Sequence, residues 1–277
     1  MVQIITDSST LYTVEEALQR GFEAVPLCIS IGDFEGRDLQ IDMDAYYKRI
    51  ADGQVPLSSQ PPIGDVVDCF ERYADYEIIN ISMADGLSGT YQGACSAREM
   101  AAHKEKITVI NSRTLCGPHR YMADMAQKMK EKGCTKEEIV DWLRKKTKQT
   151  DSFLIPQDFS FLKRGGRLTP VAAALGSVLK LRPVMTLTED CKRLDKFAVK
   201  RTMTAAFKAI VDELKTRELG ANHIFYVAHA RALEDAMKAK EMLSEAFAGA
   251  EIQILELSPV FVAQGGPRCV AIQYIER

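Results

Sequence analysis

A strong charge of either sign is missing from this 277-residue chain, in which 36 Lys and Arg stand against 38 Asp and Glu. Without a basic excess there is no electrostatic case for binding nucleic acid or an anionic membrane surface. Long apolar runs are missing as well. The longest, near Val171–Leu179, falls far short of the roughly 20 residues a membrane-spanning helix needs. The chain opens directly into an apolar, strand-like segment, without the basic and apolar regions of a signal peptide. Its seven cysteines, at 28, 69, 95, 116, 134, 191 and 269, include no CxxC pair. Reduced thiols in a cytoplasmic protein are therefore expected. The four histidines, at 103, 119, 223 and 229, show no HExxH or comparable spacing, so no metal site is expected. No GxxxxGK[ST] or GxGxxG occurs, so this chain has no recognisable phosphate loop of its own. Repeats and low-complexity segments are also lacking.

What is present is an alternation of apolar strand-like runs with helical periodicity. The pattern predicts strands over residues 2–6, 23–31, 77–82 and 106–110. Helices are predicted over 14–20, 43–51, 63–70, 90–104, 117–132 and 136–148. Thr135 with Glu138 three residues on reads as a capping box for the last of these. Such βα alternation argues for a parallel sheet covered by helices. Composition changes near Asp151. Beyond it the pattern predicts strands over 151–155, 183–187, 193–199, 222–228, 251–257 and 268–275. Helices are predicted over 170–179, 203–216 and 233–247. A hairpin through residues 188–192 among crossover connections implies a mixed sheet. The expectation is a two-domain α/β protein, with an N-terminal parallel-sheet domain over 1–151 and a C-terminal mixed-sheet domain over 152–277.

Three polar turns follow or separate the N-terminal strands. Asp7-Ser8-Ser9 ends the first strand, and Ser58-Ser59-Gln60-Pro61-Pro62 precedes the helix beginning near Ile63. Ser82-Met83-Ala84-Asp85-Gly86-Leu87-Ser88-Gly89-Thr90 joins a buried strand to a helix start. Open α/β sheets bind ligands at the carboxyl ends of their strands. A helix N-terminus leaves about four N–H groups unpaired and carries roughly half a positive charge, so hydroxyls and glycine there suit an oxyanion. A simple capped helix with Ser88 as N-cap is the plainer reading of the last segment. Ser88 as a catalytic nucleophile is a third reading, but Gly86-Leu87-Ser88-Gly89 lacks the GxSxG spacing of a hydrolase elbow.

Taken together with Leu162-Lys163-Arg164-Gly165-Gly166-Arg167-Leu168 and the late Gly266-Pro267, these motifs occur in one order along nearly the whole chain. In that order they resemble the DegV family, the fatty-acid-binding subunits of the bacterial two-component fatty-acid kinase. The resemblance implies a long-chain fatty acid buried in a tunnel, with its carboxylate held by hydroxyls. Ser58 and Ser88 match the head-group positions, with Ser59, Gly89, Thr90 and Gln60 beside them. The family usually has Thr where Ser58 stands. The resemblance also implies no stand-alone catalysis. A separate kinase subunit, carrying ATP and magnesium, would convert the bound acid to an acyl phosphate for phospholipid metabolism, with Arg167 as the kinase contact. Transient contact with a membrane is compatible with such a role. Two departures stand out: Gln264, which the resemblance adds to the carboxylate-binding candidates, occupies the position of a family histidine, and Arg268 replaces the glycine that ends a Gly-Pro-Gly. They keep a second reading open, a lipid carrier or sensor for a fatty acid or another amphiphile without kinase coupling. Acyl-chain length, unsaturation and oligomeric state are not encoded in any motif.

Overall fold

The computed structural model describes residues 1–175 and 181–277, which fall into two compact units, Met1–Lys148 and Gln149–Arg277.

The first unit runs β1 (Val2–Asp7), α1 (Val14–Gln19), β2 (Glu23–Val25), β3 (Cys28–Ile31), β4 (Phe34–Arg37), α2 (Met43–Ala51) and β5 (Leu57–Ser59). It continues with α3 (Ile63–Arg72), β6 (Glu77–Ser82), α4 (Thr90–Met100), β7 (Ile107–Asn111), α5 (Cys116–Glu131) and α6 (Lys136–Lys146). Its main sheet has the order β2-β1-β6-β7, parallel throughout. Helices α3 and α4 pack their apolar stripes (Val66, Cys69, Phe70, Ala94, Ala97) against Ile5, Ile78 and Ile107 of the sheet. The capping box at Thr135 and Glu138 is present, and a second one at Thr13 and Glu16 starts α1.

A small antiparallel sheet, β4-β3-β5, lies apart from the parallel one. The sequence predicts a single strand over residues 23–31; the structure has two. Pro26 lacks the N–H that a continuous ladder needs, so β2 ends at Val25 and stays in the parallel sheet. Strand β3 restarts at Cys28 and pairs with β4 and β5.

The second unit comprises β8 (Thr150–Ile155), α7 (Phe159–Gly165), α8 (Pro170–Ala173), β9 (Arg182–Leu187) and β10 (Leu194–Lys200). After these come α9 (Met203–Lys215), β11 (His223–His229), α10 (Leu233–Ala246), β12 (Glu251–Glu256), α11 (Pro259–Gly265) and β13 (Val270–Glu276). Its six-stranded sheet has the order β10-β9-β8-β13-β11-β12. It is mixed: β11 is parallel to β12 and antiparallel to β13, and β9–β10 is the expected hairpin. Helices α9 and α10 bury Phe207, Ile210, Leu214, Ala236 and Leu243 against Phe153, Phe225, Val227 and Ile272. The fold class read from the sequence is the one observed. Helix α8 covers only the first turn of the helix expected over 170–179; Gly176–Leu179 lie outside the described residues.

Candidate functional site

The order β2-β1-β6-β7 has its reversal between β1 and β6. From β1 the chain winds outward to β2 and later returns to build β6 on the other side. Ligand crevices of open α/β sheets form outside the carboxyl ends of the strands at such a point. Two of the hydroxyl-rich turns lie here, and the structure treats them oppositely.

The turn after β1 is sealed. Asp7, only 3% exposed, accepts the Ser9 N–H at 2.9 Å through Oδ1 and the Met83 N–H at 2.9 Å through Oδ2. It thereby ties the ends of β1 and β6 together. The Ser8 hydroxyl donates to Asp38 Oδ2 at 2.8 Å and accepts the Leu27 N–H. Ser9 Oγ lies 2.7 Å from His119 Nδ1, while His119 Nε2 is 3.0 Å from the Ile81 carbonyl. Because a carbonyl only accepts, Nε2 carries the proton, and neutral Nδ1 accepts from Ser9. Burial pulls the His119 pKa below the usual histidine value, with the Asp7 charge and the Ile81 carbonyl opposing that pull. A Ser–His pair in this setting holds the sheet edge together; Ser9 and His119 are both fully buried, with no access for a substrate.

The turn after β6 is only half sealed. Gly86 takes a left-handed φ of 89°, which any side chain would resist. The turn it makes is closed by a bridge between Asp85 and Ser88. Thr90 is the first residue of α4, and Gly89, rather than Ser88, is its N-cap. The Ser88 hydroxyl lies 2.8 Å from Thr90 Oγ1 and accepts the Thr90 N–H at 3.3 Å. Ser88 is half-buried and Thr90 buried. Two hydroxyls thus converge at the positive end of an eleven-residue helix, an end where negative charge is favoured.

Ser58 and Ser59 lie in β5. Opposed residues of an antiparallel pair share a face. Ser58, opposite Ile29, is on the inward face, whereas Ser59, opposite Cys28, is on the outer one. Accordingly Ser58 is half-buried and Ser59 exposed. The link between β5 and α4 is Gln60. Its carboxamide lies on the bare Cα atoms of Gly89 and Gly93; a Cβ at Gly89 would overlap Oε1, and one at Gly93 would stand 3.0 Å from Nε2. Sequence spacing does not reveal this contact, which spans about thirty residues.

Arg167 and Gln264 belong to the second unit. The Lys163–Arg167 motif closes a helix: α7 ends at Gly165, and Gly166 caps it with a left-handed φ of 70°. Half-buried Arg167 donates through Nη1 to the Gly165 carbonyl, and burial pulls its pKa below the usual arginine value. Gln264, at the end of α11, presses its carboxamide oxygen against the Cα of Gly165. Both residues therefore converge on Gly165. Arg268 is exposed and directed at Asp235, at 3.4 Å. Its φ of 60° explains why a glycine suits this position.

Among the described residues no group of three or more His, Cys, Asp or Glu is arranged to hold a metal ion. No described helix is long and apolar enough to cross a membrane.

Comparison with known proteins places these motifs in a family. A DegV domain-containing protein of Halalkalibacterium halodurans is 29% identical over 286 residues, covering 100% of this chain and 99% of the relative. The crystal structure of DegV, a fatty acid binding protein from Bacillus subtilis, aligns at a TM-score of 0.85 and 26% identity, covering 100% of this chain and 99% of that one. A stearic acid-binding protein from Eubacterium ventriosum shares the fold at a TM-score of 0.87 and 20% identity, with 100% and 98% covered. A family model described as "Uncharacterised protein, DegV family" matches residues 1–277. With that match running from end to end, the chain belongs to the DegV family.

Proposed function

We propose that this protein binds a long-chain fatty acid, with the carboxylate at the N-terminus of α4 and the acyl chain in a buried tunnel. The observation that carries this reading is the Ser88–Thr90 hydroxyl pair at 2.8 Å on that helix end. Ser58 on the inward face of β5 supplies a further hydroxyl, and Gly89 leaves the backbone open to close approach. The fatty-acid binding of the 26%-identical Bacillus subtilis protein supports the ligand class. Energetics favour a modest head-group site: each buried methylene contributes about 0.8 kcal/mol, so a dozen supply roughly 10 kcal/mol before costs. A few hydroxyls then fix orientation rather than provide most of the affinity.

In the same reading the chain is a substrate-presenting subunit and not an enzyme by itself. Hydroxyls and backbone N–H groups hold a carboxylate without neutralising it as a lysine would. One oxygen remains free to attack the γ-phosphate of a nucleotide brought by a kinase subunit together with magnesium. The products are an acyl phosphate and ADP. Arg167, with a forked guanidinium held against Gly165, is the contact for that kinase or its phosphates. A second reading, a carrier or sensor without kinase coupling, is favoured by Gln264: glutamine can donate a hydrogen bond but does not titrate near neutral pH as histidine does. Arg268 lends that reading less weight, since its guanidinium is directed at Asp235.

Native and lipid mass spectrometry of the purified protein tests the proposal. A stoichiometric fatty acid, lost when Ser58 and Ser88 are both changed to Ala, is the expected result. An empty protein, or one holding another amphiphile, overturns the ligand assignment. Supplying a fatty-acid kinase subunit and ATP then separates the two roles. Acyl phosphate formation, abolished in Arg167→Ala at unchanged fatty-acid binding, supports presentation; tight binding with no acyl phosphate supports the carrier.

A further inference from the structure

We infer that Gln60 is the positioning residue that fixes Ser58 relative to the α4 head-group site; the inference rests on the fatty-acid reading above. Three observations converge on it. Gln60 is clamped on both sides along the backbone. Strand pairing holds Ser59 against Cys28, and Pro61-Pro62 follow, which restrict Gln60 to extended conformations. Only its side-chain torsions remain adjustable. That side chain reaches α4 and rests on two glycines one helical turn apart, Gly89 and Gly93, whose missing Cβ atoms make the seat. Gly93 is buried in the interior of α4, where glycine is the poorest residue for a helix apart from proline. Helical stability argues against glycine there; the seat for Gln60 is what it provides.

The consequence is geometric. Ser58 lies two residues before Gln60, and Ser88 immediately precedes Gly89. Docking the carboxamide between Gly89 and Gly93 therefore sets where the β5 hydroxyl stands relative to the Ser88–Thr90 pair. Because the end of a glutamine side chain can swing away, unseating it leaves the fold intact while loosening the head-group site.

Gly93→Ala isolates this effect, since Gly93 is outside the proposed set of head-group ligands. The added methyl would stand 3.0 Å from Gln60 Nε2, so the carboxamide must give by a few tenths of an ångström, while the intrinsic helicity of α4 improves. Oleate affinity and thermal midpoint would be measured for full-length wild type, Gln60→Ala, Gln60→Met, Gly93→Ala and the double variant Gln60→Ala/Gly93→Ala. The expected result is at least tenfold weaker oleate binding in Gln60→Ala and a measurable but smaller loss in Gly93→Ala, with the Gly93→Ala midpoint equal to or above wild type. The double variant should be no weaker than Gln60→Ala, because both changes remove one contact. Gln60→Met, which refills the seat without the amide, should restore most of the affinity. If Gly93→Ala binds oleate like wild type, or if the two losses multiply in the double variant, the inference fails while the functional reading stands. A wild-type protein that binds neither oleate nor a saturated acid such as stearate would sink the functional reading and the inference with it.

Discussion

The Asp7–Ser9 and Ser82–Thr90 segments look alike as sequence, each a run of hydroxyl residues leaving an apolar strand, yet they end in opposite states. In the first, a buried carboxylate, a buried imidazole and backbone groups consume the Ser8 and Ser9 hydroxyls. In the second, the half-buried Ser88 pairs with the next hydroxyl on the chain and sits where a helix begins. Hydroxyl content marks both turns as polar; the identity of the bonding partners decides which is sealed into the fold and which is left half-buried.

The largest effect expected from breaking this contrast is at Asp7. Asp7→Ala leaves two N–H groups, of Ser9 and Met83, buried without an acceptor. Each such group costs about 1–3 kcal/mol, so urea denaturation should show a loss of about 2–6 kcal/mol. That is a large share of the roughly 5–15 kcal/mol that a domain possesses. A loss below about 1 kcal/mol would mean that the turn relaxes to find water and is not sealed.

Ser88→Ala should reverse the pattern. A hydrogen bond to a charged group is worth about 1.5–3 kcal/mol, so fatty-acid affinity should fall roughly 10- to 100-fold, while the urea midpoint hardly moves. Calorimetric titration with a fatty acid checks it. Equal affinity for wild type and variant would return Ser88 to the plain role of a residue next to a helix cap.

Acidification separates the two turns in a different way. The folded-state pKa of His119 lies below its unfolded value near 6.5. Its neutral form therefore contributes fully to stability above pH 6.5, and the contribution is lost as pH falls toward the folded value. Unfolding free energy should drop in this window with a slope of at most about 1.4 kcal/mol per pH unit from this group. His229, also held low by burial and opposed by the Glu256 charge, contributes with the same sign in the second unit. His119→Gln should flatten the His119 share in denaturant titrations at a series of pH values. An unchanged slope would place the titrating group elsewhere.

How much of this was legible in the sequence depends on the range of the interaction. The βα alternation, the mixed second sheet and the Thr135 capping box are local patterns with a period or a fixed offset, and they are found as read. The hydroxyls at 58, 88 and 90 were visible because each borders a predicted element. Helices α7 and α11 were missed because seven residues with a terminal glycine give too little periodicity. Strand β4 was missed because Phe34-Glu35-Gly36-Arg37 has no alternation of apolar and polar residues. His119 was invisible as part of the Asp7 turn. It sits 110 residues from Ser9, and nothing in a lone histidine tells which strand end will meet the first turn of its helix. The Gln60 seat was hidden for the same reason, although two glycines four apart, one just before and one inside the helix predicted over 90–104, were a local sign that something approaches closely.

The smallest effect expected is at Ser59, and it tests whether the face assignment in β5 is correct. Ser58 and Ser59 are adjacent and chemically identical, so any difference between them comes from the pleat. Ser58 shares its face with Ile29, which is 2% exposed, while Ser59 shares the opposite face with Cys28 and Arg37. A groove of about 630 Å³ runs along this sheet, lined by Glu35, Arg37 and Leu57 and touched by Ser58 as well as Ser59, and Arg37 in it is engaged by Asp65 at 2.6 Å. Ser59→Ala should thus leave fatty-acid affinity within about twofold of wild type, a difference below roughly 0.5 kcal/mol. Ser58→Ala should lose tenfold or more. If the two variants fall equally, the head group reaches the outer face. A guanidinium already paired with a carboxylate would then be part of the site, and Ser88 could not be its centre.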